Sequence, residues 1–586
     1  MIKHTLSYHK GHPNPSFFRK YYELLNGEWD FYFDKDNTGL IKGYQYNFPI
    51  DHLKIKVPYP YQTKNSGINK PDFHCDTIWY HKNIEVHEKS DVLKLIFLGV
   101  DYETFVYVNS KLIYTHQGGY DSFNVDIAPF IHIGTNNLTL RVVDKMNIDQ
   151  IRGKQRWKDK SFECFYTEVS GIYKDVYLEK INAKNILDFK LKNLNFNETL
   201  LSYHLSNYND IQLKIEILFE NCKVFEKILD NTKVKNNNVI IKLDDKNVHL
   251  WSVDNHNLYD VKLTLLDNKN NVLDEVLAYF GINIISTKNK HIYLNNKDTY
   301  FKLILDQGYY KDTFYTGSEK EFIDDIKLMK EMGFNGCRKH QKIESPLFYY
   351  YADILGYLLW QELPSPHAYS YNVDVSTNLE LFNQINDHYN HPSIVTYVIF
   401  NESWGVQEIY KDQHEQELSV NLYNKVKETV PNGRLVISND GWEHTKSDII
   451  SLHNYGETYD SIYTFYKQEL QKMFNKNESK ANLERYVFAK NYTYNGEPIM
   501  LTEFGGIAYS KDKDKGWGYG NSVKGEKEYI EKLTNLLKAL KDIKEFRGYC
   551  LTQLSDVEIE VNGLVNFNRD LKVNIEDIKK LNDMFE

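Results

Sequence analysis

From about Lys288 onward, apolar runs alternate with helical patterns, and eight such runs follow one another: 301–305, 335–340, 357–361, 395–402, 435–439, 449–453, 499–503 and 548–553. Strands separated by helices lie parallel, because each helix returns the chain across the sheet before the next strand begins. Eight of them close into a (β/α)8 TIM barrel, in about the length that such barrels need. One helix is delimited by its own chemistry: Ser318 and Glu321 form an S-x-x-E capping box, Phe322, Ile326 and Met329 make an apolar face, and Gly333 stops it.

The residues before the barrel follow a different pattern. Val92 to Val100, Thr104 to Asn109, Lys111 to Tyr114 and Leu138 to Val143 are short apolar strands punctuated by turn residues, as in a β-sandwich. A second all-β stretch contains the alternating segments Leu213 to Phe219 and Val261 to Leu266, and its length suits one Ig-like domain. The predicted organisation is an N-terminal jelly-roll-like β-sandwich over 1–180, an Ig-like β-sandwich over 181–285 and the barrel over 286–586. Three domains, one of them large, suit 586 residues. The 46 Tyr, 31 Phe and 8 Trp serve strands, cores and sugar-stacking sites alike, so ring content alone does not choose a function.

Charge and cysteine usage exclude several classes. The 71 basic and 81 acidic residues give −10 without a long basic run, which disfavours nucleic acid as a partner. No apolar stretch is long enough for a membrane span, and Met1 to Lys10 contains no apolar export core, so a cytoplasmic location is expected. Five scattered cysteines without a CxxC pair argue against a disulfide framework or zinc cluster. No metal and no cofactor is expected.

In such a barrel the chemistry lies at the carboxyl ends of the strands. The fourth run, Val395 to Phe400, leads directly into Asn401, Glu402, Ser403 and Trp404, and the seventh ends at Glu503. Strands four and seven face one another across the barrel, so two carboxyls share one cleft. Opposed carboxyls are the constellation that splits a glycosidic bond; about 5 to 5.5 Å between them suits retention, and roughly 6.5 to 9.5 Å suits inversion.

Phe400-Asn-Glu-Ser-Trp404 and Leu501-Thr-Glu-Phe-Gly-Gly506 resemble the acid/base and nucleophile signatures of glycoside hydrolase family 2, the family of β-galactosidases, β-glucuronidases and β-mannosidases. Leu25-Asn-Gly-Glu-Trp29, Gly118 to Asp126, Ser170 to Leu178 and Leu250-Trp-Ser252 with Asn257-Leu-Tyr259 resemble the family's sandwich domains, so the likeness spans nearly the whole chain. It implies Glu402 as acid/base, Glu503 as nucleophile, Asn401 as partner of the sugar 2-hydroxyl, Tyr455 as a hydrogen-bond donor to the nucleophile, and a retaining double displacement. It also implies a carbohydrate substrate and admits a homo-oligomer, since relatives often assemble.

The mechanism requires Glu503 to be ionised, so a cation is expected beside it. Arg338 ends the second strand and points the same way as His340 by strand alternation. Asp306, His340, His453, Trp404 and Trp517 at strand ends are further expected substrate contacts, Trp517 within the loop Gly516-Trp-Gly-Tyr-Gly520. Two departures from the family pattern bear on the substrate. The eighth strand, Tyr549 to Asp556, lacks the tryptophan that family members commonly place under the sugar. The Asn-x-Lys pair with which glucuronidases hold a carboxylate is absent too, although Arg569 is available as a substitute cation. The expected substrate is therefore a β-galactoside or related neutral sugar, with β-glucuronides, β-mannosides and arabinosides as alternatives. A non-catalytic carbohydrate-binding protein on the same scaffold would lack at least one of the carboxylates, and both are present. The basic stretch Arg152 to Trp157 is expected to be an exposed loop, with a reach over the barrel mouth as the alternative.

Overall fold

The computed structural model describes residues 11–230, 237–510 and 516–585. Met1 to Lys10, the stretch without an apolar export core, lies outside the described residues. Alternation builds the first layers. In the strand Ile211–Phe219, Ile211, Leu213, Ile215 and Ile217 are buried and the residues between them are not, so one face closes on a core. A six-stranded sheet faces a four-stranded one over the N-terminal core, which contains Trp29, Phe31, Tyr80 and Phe97. Three- and four-stranded sheets enclose a second core around Leu201, Tyr203 and Leu263.

The barrel strands are β1 (Phe301–Asp306), β2 (Gly336–Lys339), β3 (Leu358–Glu362), β4 (Ile394–Asn401), β5 (Leu435–Asp440), β6 (Ile450–His453), β7 (Ile499–Gly505) and β8 (Phe546–Thr552). All eight residues of β4 are buried, as expected of a parallel strand covered on both faces. The capping box forms as its residues dictate: Glu321 donates its backbone N–H to Ser318 Oγ, and Ser318 N–H donates to Glu321 Oε2. Ladder pairing runs through the strand order β5-β4-β3-β2-β1-β8-β7-β6. The seam between β5 and β6 has no ladder among the described residues. It is bridged instead by Asp448 N–H to Val436 O at 2.8 Å and His453 N–H to Gly441 O at 3.2 Å.

Most strand ends shift by a residue or two from the sequence expectation, and two of these shifts bear on the lumen. β3 extends to Glu362 and β5 to Asp440, and each added residue turns its carboxylate into the barrel.

Candidate active site

Strand alternation sends Arg338 into the barrel and its neighbour Lys339 outward. Arg338 Nε lies 2.6 Å from Glu362, Nη1 lies 2.6 Å from Asp440 and 2.9 Å from Glu503, and Nη2 donates to Asn401 Oδ1 at 2.6 Å. One guanidinium therefore gathers the ends of β3, β4, β5 and β7, as its fork of fixed donors permits. Burial would raise these carboxyls, but Arg338 and His340 hold Glu362 down to about 2, and Arg338 with His453 holds Asp440 far below the usual carboxylate range.

His453 completes the network. Nδ1 lies 2.8 Å from Glu402 Oε1 and 3.6 Å from Glu503, and Nε2 lies 3.2 Å from Asp440. Burial alone would discharge the ring, yet Glu503 and Asp440 raise it to about 10, so it stands as an imidazolium. Against the rise that burial favours, His453 and Arg338 keep the Glu503 carboxyl below its ordinary value, and Tyr455 Oη donates to Glu503 Oε2 at 2.6 Å. One oxygen each of Glu402 and Glu503 and one nitrogen of His453 lie within 4.8 Å of one another. Each His453 nitrogen thus has a glutamate or aspartate oxygen within hydrogen-bond reach.

Glu402 is held by strained backbone. It and Ser403 have φ of +52° and +60°, a region that non-glycine residues rarely adopt. Four hydrogen bonds hold the turn: Glu402 N–H to Asp440 O, Trp404 N–H to Asn401 O, Ser403 N–H to Asn439 Oδ1, and Ser403 Oγ to Glu443. The side chain of Glu402 is 19% exposed against 6% for Glu503, so of the two it is the one open to solvent.

Models of three consecutive parts of one family match the chain: "Glycosyl hydrolases family 2, sugar binding domain" over residues 22–182, "Glycosyl hydrolases family 2" over 176–282, and "Glycosyl hydrolases family 2, TIM barrel domain" over 285–586. The chain belongs to glycosyl hydrolase family 2. Among curated relatives of this family, a Formosa agariphila protein provisionally named a β-glucuronidase is 29% identical over 60% of the chain and 43% of its own length. A β-galactosidase of Staphylococcus xylosus is 27% identical over 58% of the chain and 34% of its own. The chain thus aligns with less than half the length of either. The fold is also that of a β-glucuronidase from Ruminococcus gnavus solved with D-glucuronic acid, at a TM-score of 0.78 and 18% identity over 98% of each chain. No helix among the described residues is long and apolar enough to cross a membrane.

Within this family 2 barrel, Asn401, Glu402, Glu503, Arg338, His340, His453 and Tyr455 converge at the lumen. Burial pushes the His340 ring below its ordinary value, and its Nδ1 lies 3.2 Å from Glu362. Trp404 is half-buried, 6.5 Å from the His340 ring.

Asp306 corrects the expectation of a substrate contact. Its carboxylate accepts from Lys339 Nζ at 2.7 Å and from Gly308 N–H at 2.9 Å, and Lys339 packs over the ring of Phe348 in the helix Pro346–Leu355. Asp306 therefore belongs to the outer side of the barrel wall, on the same strand face as Lys302. Arg569 is likewise engaged elsewhere, on Asp325 at 3.1 Å and Tyr309 O at 2.8 Å.

The stretch 152–157 is also corrected, because Arg152 to Arg156 are buried. Asp144 and Glu168 anchor Arg152 and Arg156, and Gly153 N–H donates to Ser365 O beyond β3. Gly153 has φ +60°, and a Cβ there would lie 2.2 Å from Gln341 O, so only glycine permits this approach. The sandwich thereby carries Lys154 to the barrel mouth, with Nζ 5.0 Å from the Trp404 ring centre. Burial would lower this ammonium, but Cys164, Glu560, Glu503 and Glu402 hold it above its ordinary value.

Sequence reasoning also missed Glu362, Asp440 and a ring of buried polar groups. Gln307 Nε2 donates to Tyr166 Oη and Gln553 Oε1, Gln553 donates to Asn562, Asn562 donates to Glu560, and Tyr166 donates to Glu560. Trp517 is half-buried, its indole N–H donating to Glu163 O of the sandwich at 3.0 Å.

Proposed function

We propose that the chain is a retaining exo-β-glycosidase that removes a non-reducing terminal β-D-galactosyl or closely related neutral residue by double displacement. The observation that carries this reading is the carboxylate pair, one oxygen of each lying within 4.8 Å of one of the other, which favours the shorter, retaining spacing over the wider, inverting one. Ionised Glu503 attacks the anomeric carbon while Glu402 gives its proton to the departing oxygen. The bond to the aglycone breaks as the ester to Glu503 forms. Glu402, now a carboxylate, takes a proton from water, whose oxygen attacks the same carbon and releases Glu503. His453 hydrogen-bonds Glu402 through Oε1, which leaves Oε2 to carry the transferred proton. Arg338 engages the side-chain oxygen of Asn401, leaving its amide N–H2 to donate to the 2-hydroxyl. The sandwich loop over the mouth supports action at a chain end, and Glu560 near Lys154 favours hydroxyls over an anionic group.

Turnover of chromogenic β-glycosides with nuclear magnetic resonance of the first-formed anomer tests this. The expected result is a β product, and a fall on the order of 10^4 to 10^6 in kcat for Glu503→Gln. An α first product, or turnover that survives Glu503→Gln, would overturn it.

A second reading, a β-glucuronidase, is favoured by Lys154: among the described residues no carboxylate lies within ion-pair distance of its ammonium, which leaves it available to a uronate. Lys154→Met then separates the two. Loss of roughly 10- to 100-fold in kcat/KM on a β-glucuronide, with β-galactoside turnover unchanged, favours the uronate. No glucuronide turnover by the wild type removes that reading.

A further inference from the structure

We propose that Tyr519 is a positioning residue of the reaction, its ring holding Tyr455 so that the phenol hydroxyl stays on the nucleophile. This rests on the reading of Glu503 as nucleophile. The Tyr455 and Tyr519 rings are stacked 3.8 Å apart at 8° between planes, and among the described residues no other ring contacts Tyr455. The remaining neighbour of its hydroxyl is Thr552 Oγ1 at 3.2 Å, a small group at the end of β8 that presents no surface against which a ring can rest.

The stack is itself held from both sides. Tyr519 N–H donates to Gly506 O at 2.9 Å, and a Cβ on Gly506 would lie 2.6 Å from Tyr519 and 3.0 Å from Tyr455. The glycine that directly follows β7 therefore makes room for the paired rings. On the other side, the Trp517 ring meets Tyr519 edge-on at 5.2 Å, and its indole N–H is bound to the sandwich backbone at Glu163. A continuous contact path thus leads from the sandwich through Trp517, Tyr519 and Tyr455 to Glu503. A hydroxyl-to-carboxylate bond of 2.6 Å loses its strength steeply with misalignment, and small displacements at a reacting centre are costly in rate.

The test compares kcat and kcat/KM against pH for the full-length wild type, Tyr519→Ala, Tyr519→Phe, Tyr455→Phe and the double variant Tyr455→Phe/Tyr519→Ala, on whichever chromogenic glycoside the wild type hydrolyses. Tyr519→Ala is expected to lower kcat about 10-fold with KM nearly unchanged. The acid limb should move to higher pH, because the Tyr455 bond helps keep Glu503 ionised. Tyr519→Phe keeps the stack and should retain the wild-type profile, and the double variant should match Tyr455→Phe alone. An unmoved acid limb in Tyr519→Ala, or losses that multiply in the double variant, would overturn the proposal. Should Tyr519→Ala fail to fold, Tyr519→Leu, which keeps apolar volume but offers no ring face, is held to the same outcomes. If Glu503→Gln remained active, the function reading would fall; if only Glu503→Gln were dead and Tyr519→Ala kept the wild-type profile, only this inference would fall.

Discussion

Arg338 and Lys339 are adjacent on β2, and both are wholly buried cations, yet they serve opposite faces of the barrel wall. Arg338 turns inward to Glu362, Asp440 and Glu503. Lys339 turns outward to Asp306 and Glu344, at 2.7 and 3.1 Å, under the ring of Phe348. Both clusters contain carboxylates held below their ordinary values against the pull of burial. The difference is access: the inner cluster includes Glu402, part of which meets solvent, whereas the outer one is sealed by helices. Buried charge alone therefore does not mark a reaction site. The strand face and an opening to substrate do.

The sharpest way to break this contrast is to remove each cation in turn. Arg338→Met should cost about 3 to 5 kcal/mol of stability, since it strands buried carboxylates. It should also lower kcat of the remaining folded enzyme on the order of 10^2- to 10^3-fold, through loss of the charge beside Glu503. Lys339→Met should destabilise to a similar degree and leave kcat of the folded fraction unchanged. Equal kinetic losses in the two variants would abolish the distinction.

The next largest effect concerns pH and stability, followed by thermal melting. Glu362 lies at about 2 in the folded chain against 4.5 ordinarily. Its contribution, about 3 kcal/mol, is present above pH 4.5 and lost as pH falls toward 2. On the alkaline side the two clusters have opposite signs. His453, raised from 6.5 to about 10, gives stability that is present below pH 6.5 and lost as pH rises through 10. Lys342 of the outer cluster is depressed by burial from 10.5 to about 8, so its neutralisation adds stability as pH climbs from 8 toward 10.5. His453→Gln should flatten the alkaline loss and Lys342→Met should steepen it. Identical alkaline profiles for both variants would contradict the assigned charges. The smallest expected effect is kinetic: Asp306→Asn should leave KM for a glycoside unchanged, and a raised KM would return Asp306 to the substrate.

Much of this was legible in the sequence because periodicity is a local property. The eight strands, the Ser318 capping box and the two strand-end glutamates all announce themselves within a few residues. Arg338 and His340 could be paired by alternation, and the same rule applied to Phe301, Leu303 and Leu305 would have sent Asp306 outward. Glu362 and Asp440 were hidden because apolar runs give way one residue before the strands end, and a carboxylate at that point reads as the first loop residue. The placement of Arg152 to Trp157 was not legible, since whether a basic loop is exposed depends on a neighbouring domain. Gly153 is the local trace of that contact, but a glycine in a loop does not declare which backbone it approaches. Tyr519 was visible only as part of a glycine-rich loop, since stacking on Tyr455 joins residues from two different strand ends.

The seam between β5 and β6 has a further meaning. Beside the two backbone bonds that bridge it, this seam sets the Asp440 carboxylate against the His453 ring, at 3.2 Å. Groups that set the proton balance of the cleft are therefore also part of the fastening of the barrel wall. A variant selected in the laboratory for altered acid tolerance at these positions would also be a variant in mechanical closure, and drift in the one property should be inherited together with the other.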